Sequence, residues 1–376
     1  MRRKVAVRPE ALSRRGQRDG GWGMGDGPFP LAALGVRAGC QLSAEAAHPP
    51  SPFPHPAARR RGLGRLARGV FLTSILASAC NGEHASAGAA ATGNDGSKPL
   101  TAFSGDSAMA WVRAQMAFGN RIPGSEAHRR TGDWIVEQLR SRADTVIVQS
   151  WTHTTADGKA LPMRNVLARF RPDAAERVLY VAHWDTRPIS DQAPPPENKL
   201  PVPGANDGAS GVALLIGVAD ALKRTPPTYG VDLLLVDGED YGDFTKGKDV
   251  FIGSRYFADH LPSTDYRPLF GVVWDMIGDR DLQIYHEGNS VAFAPEVVAR
   301  VWQEAEDLGY SRFFVQQARH TIDDDHIPLQ RKGLRVIDVI DFDFPHHHRP
   351  TDTVDKVSAK SMQIVGDVAV GLVTTK

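Results

Sequence analysis

Five segments of this 376-residue chain place acids or histidines where an apolar run stops, an arrangement that could hold a cation or carry acid–base chemistry. His183 ends the run that starts at Val178, and Asp185 stands two residues on. A carboxylate there can accept the free imidazole N–H and fix the tautomer of a metal-bound histidine, although a hydrogen-bonded core histidine has the same local pattern. Asp207 lies just before a helical stretch, with Gly204 and Gly208 around it to let backbone approach a buried ion. An ordinary helix N-cap is the alternative, because Asp is favoured in that position. Glu239 and Asp240 leave the apolar run 233–236 as adjacent carboxylates, which repel each other unless a cation or proton is shared. One can bind a metal while its neighbour, turned the other way, acts as general base. Asp275 interrupts an apolar strand and is costly there without a partner. His346, His347 and His348 follow Pro345 as either a ligand source or a surface histidine tract. Together the segments supply histidines and acids on successive strand ends, a nitrogen and oxygen donor set suited to zinc.

The elements that must carry these residues alternate. The patterning predicts helices over 108–118, 131–140, 209–223, 292–308 and 357–373. It predicts strands over 146–151, 164–170, 178–183, 231–236, 271–274 and 335–340, with 121–125 as a turn. Such alternation favours an α/β fold with helices packed on a mostly parallel or mixed sheet. In open sheets of that kind ligands bind at the C-terminal strand edge, where these polar residues fall.

Composition sets limits. Hydrophobic residues make up 41% and charged residues 23%, an ordinary globular balance. The formal net charge is zero, but positions 1–69 hold 13 of the 44 basic residues and only four of the 44 acidic ones, so the rest of the chain is net acidic. That argues against a nucleic-acid partner, which needs a basic surface. The two cysteines, Cys40 and Cys80, lie outside the region that reads as folded, so any metal there must sit on His, Asp or Glu.

Residues 1–58 are rich in Arg, Gly and Pro without a periodic apolar face, and read as a disordered or mis-assigned extension before the true start. Residues 59–80 carry a basic stretch followed by a short apolar one ending in small residues and Cys80, which reads as an export signal too short to span a bilayer. Its end resembles a bacterial lipoprotein signal, implying lipidation at Cys80, with an ordinary cleaved export signal or a chance apolar run as the alternatives; either export reading implies a periplasmic or membrane-anchored place outside the cytoplasm. Residues 81–99 read as a flexible tether. Residues 100–376 form one catalytic domain, expected to be monomeric.

The ordered set His183, Asp185, Asn206, Asp207, Glu239, Asp240, Asp275 and His348 resembles the M28 metallopeptidases over 100–376. The resemblance implies the zinc aminopeptidase or phosphorylase/hydrolase-like fold, a three-layer sandwich whose mixed, mostly parallel central sheet of about eight strands is flanked by helices. Two chemistries share that scaffold. Two-zinc aminopeptidases imply His183, Asp207, Asp240, Asp275 and His348 as ligands, with Asp207 bridging, His183 and Asp275 on the second metal, and Glu239 as base. Glutaminyl cyclases imply one zinc on Asp207, Asp240 and His348. The stretch from Ile322 through Asp324, Asp325, His326, Ile327 and Pro328 to Arg331 resembles a segment of the cyclases. It favours cyclisation of an N-terminal glutamine to pyroglutamate with loss of ammonia, with Glu239, Asp275 and Asp324 as catalytic acids and peptide or protein N-termini as substrates. Asp325 also suits a helix first turn.

The sequence departs from the animal cyclases at three places. Their Trp before the zinc histidine is His347 here, no Trp occurs in 244–250, and Asp338 stands where they carry a histidine. A third possibility is a binding lipoprotein without catalysis on the same scaffold, disfavoured because base and ligands are all in place.

Overall fold

A computed structural model describes residues 100–374; the expected extension, export signal, Cys80 and tether lie outside the described residues. In chain order the elements are α1 (Gly105–Met116), α2 (Glu126–Arg140), β1 (Thr145–Thr154), β2 (Ala160–Phe170), β3 (Arg177–His183), α3 (Ala209–Arg224), β4 (Gly230–Val236) and α4 (Ile252–Asp259). They continue with β5 (Phe270–Asp275), β6 (Ile284–Glu287), α5 (Gly288–Phe293), α6 (Pro295–Asp307), β7 (Phe314–His320), α7 (His326–Arg331), β8 (Val336–Ile340) and α8 (Ala359–Thr374).

Six strands make one sheet in the order β1, β2, β4, β3, β5, β8. Pairing is antiparallel from β1 to β2 and from β2 to β4, and parallel from β4 through β3 and β5 to β8. Every residue of β3 and β4 is buried, as expected for strands covered on both faces. Along β3 the side chains alternate: Val178, Tyr180 and Ala182 join a core with α1, α3 and α8, while Leu179 and Val181 join one with α4 and α7. These two cores give the three-layer sandwich. The one charge inside β4, Asp232, is fully buried and receives Arg177 at 2.7 Å twice, Arg169 at 3.0 Å and the Tyr266 hydroxyl at 2.8 Å.

Two expectations need correction. The stretch 292–308 is not one helix: Pro295 lacks an N–H and forces the preceding residue out of the α region, so Ala294 sits at φ −139° and separates α5 from α6. Nor do eight strands share one sheet. β6 and β7 form a separate parallel pair. Neither strand, nor α4, is legible in the sequence pattern, since β6 has four residues and β7 is largely exposed and polar.

The parallel strands all end on one edge. His183 closes β3, the acidic pair follows β4, Asp275 closes β5, and the chain beyond β8 returns through His348.

Candidate metal centre

Asp207 is delivered to this edge by the turn into α3. Asp352 accepts the backbone N–H groups of Asn206 and Asp207 at 2.9 and 3.1 Å, and Asn206 ties the turn to the segment after β5 by accepting Gly278 N–H at 2.7 Å. A Cβ on Gly208 would stand 2.6 Å from the His183 ring, so only glycine permits this approach. Gly208, not Asp207, occupies the N-cap, and no side chain caps α3. The capping alternative for Asp207 is therefore overturned. Its Oδ1 lies 3.1 Å from His183 Nε2, and its Oδ2 lies 3.8 Å from His348 Nε2.

His183 Nε2 is also 3.1 Å from Asp275 Oδ1. The expected tautomer-fixing bond is not made: Asp185 Oδ1 stands 3.6 Å from His183 Nδ1, beyond hydrogen-bonding reach. Asp185 instead accepts the N–H groups of Glu239 and Asp240 at 3.1 and 3.2 Å, holding the acidic pair by its backbone. The turn into that pair uses Gly238 at φ +72°, and the preceding Asp237 carboxylate accepts Arg164 N–H at 2.8 Å and lies 2.7 Å from His128 Nε2.

Asp240 Oδ1 receives Arg187 at 3.1 Å and faces His348 Nε2 at 3.2 Å. Arg187 is buried and bonds both oxygens of Asp191, at 2.9 and 2.6 Å, and Asp191 Oδ1 lies 3.0 Å from His348 Nδ1. Asp191 thus does for His348 what was expected of Asp185 for His183. Arg187, Asp191 and Asp352 carry no local sequence signal of this role, because their partners come from other segments.

The histidine tract divides. His348 is buried at φ +52°, His346 turns away to Thr351 Oγ1 at 2.8 Å, and His347 lies half-buried beside His348. Two sets of three donors come within 4.8 Å of one another among the described residues: Asp207 with His347 and His348, and His183 with Asp207 and Asp275. Asp240 adjoins the first set through His348.

Asp324 and Asp325 lead into α7. Both are buried. Asp325 holds the N-cap position without capping, since its Oδ1 accepts the Ser254 hydroxyl at 2.5 Å. Glu287 anchors the segment by accepting Ile322 N–H at 3.1 Å and lying 3.3 Å from His326 Nε2. Asp338 is buried with neither oxygen hydrogen-bonded.

Electrostatics follow from crowding acids in a dry edge. Burial pushes the Glu239 carboxyl well above the ordinary range, with Asp240, Asp324 and Asp325 adding to the push against His183. Burial and Asp275 raise Asp324 to about 6. Burial pulls His348 down, but Asp240 and Asp191 prevail and raise it to about 10; burial and His348 lower His347 to about 3. Asp207 Oδ2 and Asp240 Oδ2 are buried without any hydrogen-bond partner. Buried carboxylate oxygens of this kind are costly unless a cation takes them, and with imidazole nitrogens they make a donor set that fits zinc.

Residues 165–373 match Peptidase family M28. Aminopeptidase YwaD of Bacillus subtilis (strain 168) is 21% identical over 274 residues, which are 68% of this chain and 52% of that protein, so the chain spans about half that relative's length. A Zn-dependent exopeptidase from Parabacteroides distasonis ATCC 8503 superposes with a TM-score of 0.71 at 31% identity, over 74% of this chain and 100% of that one. The glutaminyl cyclase of Porphyromonas gingivalis superposes with a TM-score of 0.70 at 35% identity, over 73% and 98% of the two chains.

Proposed function

This chain belongs to peptidase family M28, in the branch that resembles the glutaminyl cyclases, and we propose that it is a zinc-dependent glutaminyl-peptide cyclotransferase acting on peptide or protein N-termini. The observation that carries the reading is the segment ending in Asp324, Asp325 and His326. Those three residues are buried, and Asp275 contributes to the raised proton affinity of Asp324 as Asp324 does to that of Glu239, so these acids bear on one another.

In this reading Asp207, Asp240 and His348 hold one zinc, which when bound polarises the side-chain carbonyl of the terminal glutamine. Asp240 has one oxygen bonded to Arg187 and one without a partner, so it offers a single donor atom. The peptide's α-amine forms the new C–N bond and the bond to the side-chain nitrogen breaks. Glu239 accepts the amine proton and returns it to that nitrogen, which leaves as ammonia. A carboxylate whose burial raises its proton affinity is suited to both transfers. Asp275 and Asp324 hold the amide and share a proton, since acids so close cannot all ionise.

A second reading, a two-zinc aminopeptidase, is favoured by the second donor set of His183, Asp207 and Asp275. Zinc per chain, with ammonia release from Gln-peptides assayed beside Leu release, separates the two. One zinc with ammonia release is expected; two zincs with Leu release would replace the cyclase reading. The chain is proposed to work as a monomer outside the cytoplasm, on the export reading of 59–80.

A further inference from the structure

We propose that His347 is a further donor to the ion assigned to Asp207, Asp240 and His348, so that a tandem pair of imidazoles faces the metal. The inference rests on the metal-site reading above.

The first support is proximity: donor atoms of Asp207, His347 and His348 stand within 4.8 Å of one another. Donors around a tetrahedral zinc with bonds of about 2.0–2.1 Å stand roughly 3.3 Å apart, so small side-chain rotations close the set. The second is backbone geometry. In extended chain two successive side chains point to opposite sides. His348 instead adopts φ +52°, uncommon for a residue with a Cβ, and the rings of His347 and His348 end 3.9 Å apart between centroids. Backbone strain of this kind persists where the surroundings hold it in place. Here the turn is tied by His347 N–H to Phe344 O and Arg349 N–H to His346 O, both at 3.1 Å. The Phe342 ring packs beside that of His347, 5.2 Å between centroids. The third is selectivity within the tract, since His346 is engaged by Thr351 and takes no part. A zinc shell with this many protein donors admits a substrate by expanding to five.

X-ray absorption at the zinc edge counts imidazoles on the ion. The purified chain loaded with one equivalent of zinc, and its His347→Phe, His347→Trp and His348→Phe variants, form the test, with chelator competition giving affinity and thermal melting reporting the fold. Two imidazoles in the native chain, one in either His347 variant, and an affinity lowered at least about tenfold support the proposal; tenfold is the lower end of what losing even an outer partner of a ligand costs. One imidazole in the native chain, with affinity unchanged in both His347 variants, overturns it. If His348→Phe leaves both imidazole count and affinity unchanged, the underlying site assignment is what fails, and the proposal falls with it.

Discussion

Replacing Asp191 by Ala is expected to weaken zinc binding while leaving the fold intact. Its carboxylate receives Arg187 at 2.9 and 2.6 Å and faces His348 Nδ1 at 3.0 Å. Only the last of these bears directly on the metal, because it fixes which ring nitrogen carries the proton and leaves Nε2 free toward Asp207 and Asp240. Outer partners of this kind contribute about 10–100-fold in metal affinity, or ~1.4–2.8 kcal/mol. The Asp191 side chain is 36% exposed, so water replaces part of what is lost and the lower half of the range, about 10–30-fold, is expected. The stability cost stays near ~1 kcal/mol, since Arg187 retains Asp240. Asp191→Asn keeps one acceptor oxygen but no charge, and should fall between the native chain and Asp191→Ala. Chelator competition at fixed pH, beside thermal melting, measures both. Affinity within twofold of native in a normally folded Asp191→Ala variant would refute the idea that His348 is held through this carboxylate.

Glu239→Gln should keep its zinc and lose about 10²–10⁴-fold in turnover, so near-native turnover in a steady-state assay would remove Glu239 as the base. Asp232→Leu leaves the buried Arg177 guanidinium without its bidentate partner and is expected to destabilise the fold by about 3–5 kcal/mol, read from the denaturation midpoint. A loss under about 1 kcal/mol would show that the network contributes little. His348 is raised to about 10, so below that pH the metal-free site carries its proton and zinc must displace it. The sign follows: zinc affinity climbs as pH rises through neutrality, and the stabilisation this proton brings to the metal-free chain, full below about 6.5, is lost as pH rises through about 10. Calorimetry at pH 7.5 in buffers of different ionisation heat should find about one proton released per zinc from His348, and no release would contradict it. Asp352→Ala removes the acceptor of the Asn206 and Asp207 N–H groups and should lower zinc affinity while Asp352→Asn restores part of it; equal affinities in both variants would assign Asp352 a role in folding only.

Much of the architecture is legible because it follows from periodicity. β3 is apolar from Val178 to Ala182, β4 is apolar except for Asp232, and α3 is a long apolar helix between them, so a buried parallel pair with a crossover needs no knowledge of distant partners. Where the pattern misleads, a local rule competes with it. Pro295 splits an otherwise continuous helical period, and β6 and β7 pair with each other through contacts that neither segment announces alone.

By itself the sequence determined that His183 and Asp275 end strands and that Glu239 and Asp240 follow one, and hence that these four come to one edge. That follows because parallel strands joined by helices must all finish on the same side. Asp207, before α3, and His348, beyond β8, joined them through the family resemblance. Only the tertiary structure decided how each residue is aimed. It turned Asp185 to the backbone of the acidic pair, gave His348 its carboxylate through Asp191, turned His346 to Thr351 and away from the candidate metal centre, and set Asp352 against the backbone of Asp207. Spacing along a chain fixes which element a side chain rides on. The hydrogen bonds that set its rotamer and charge come from segments as far as 157 residues away, as between Asp191 and His348, and exist only once the sheet has closed.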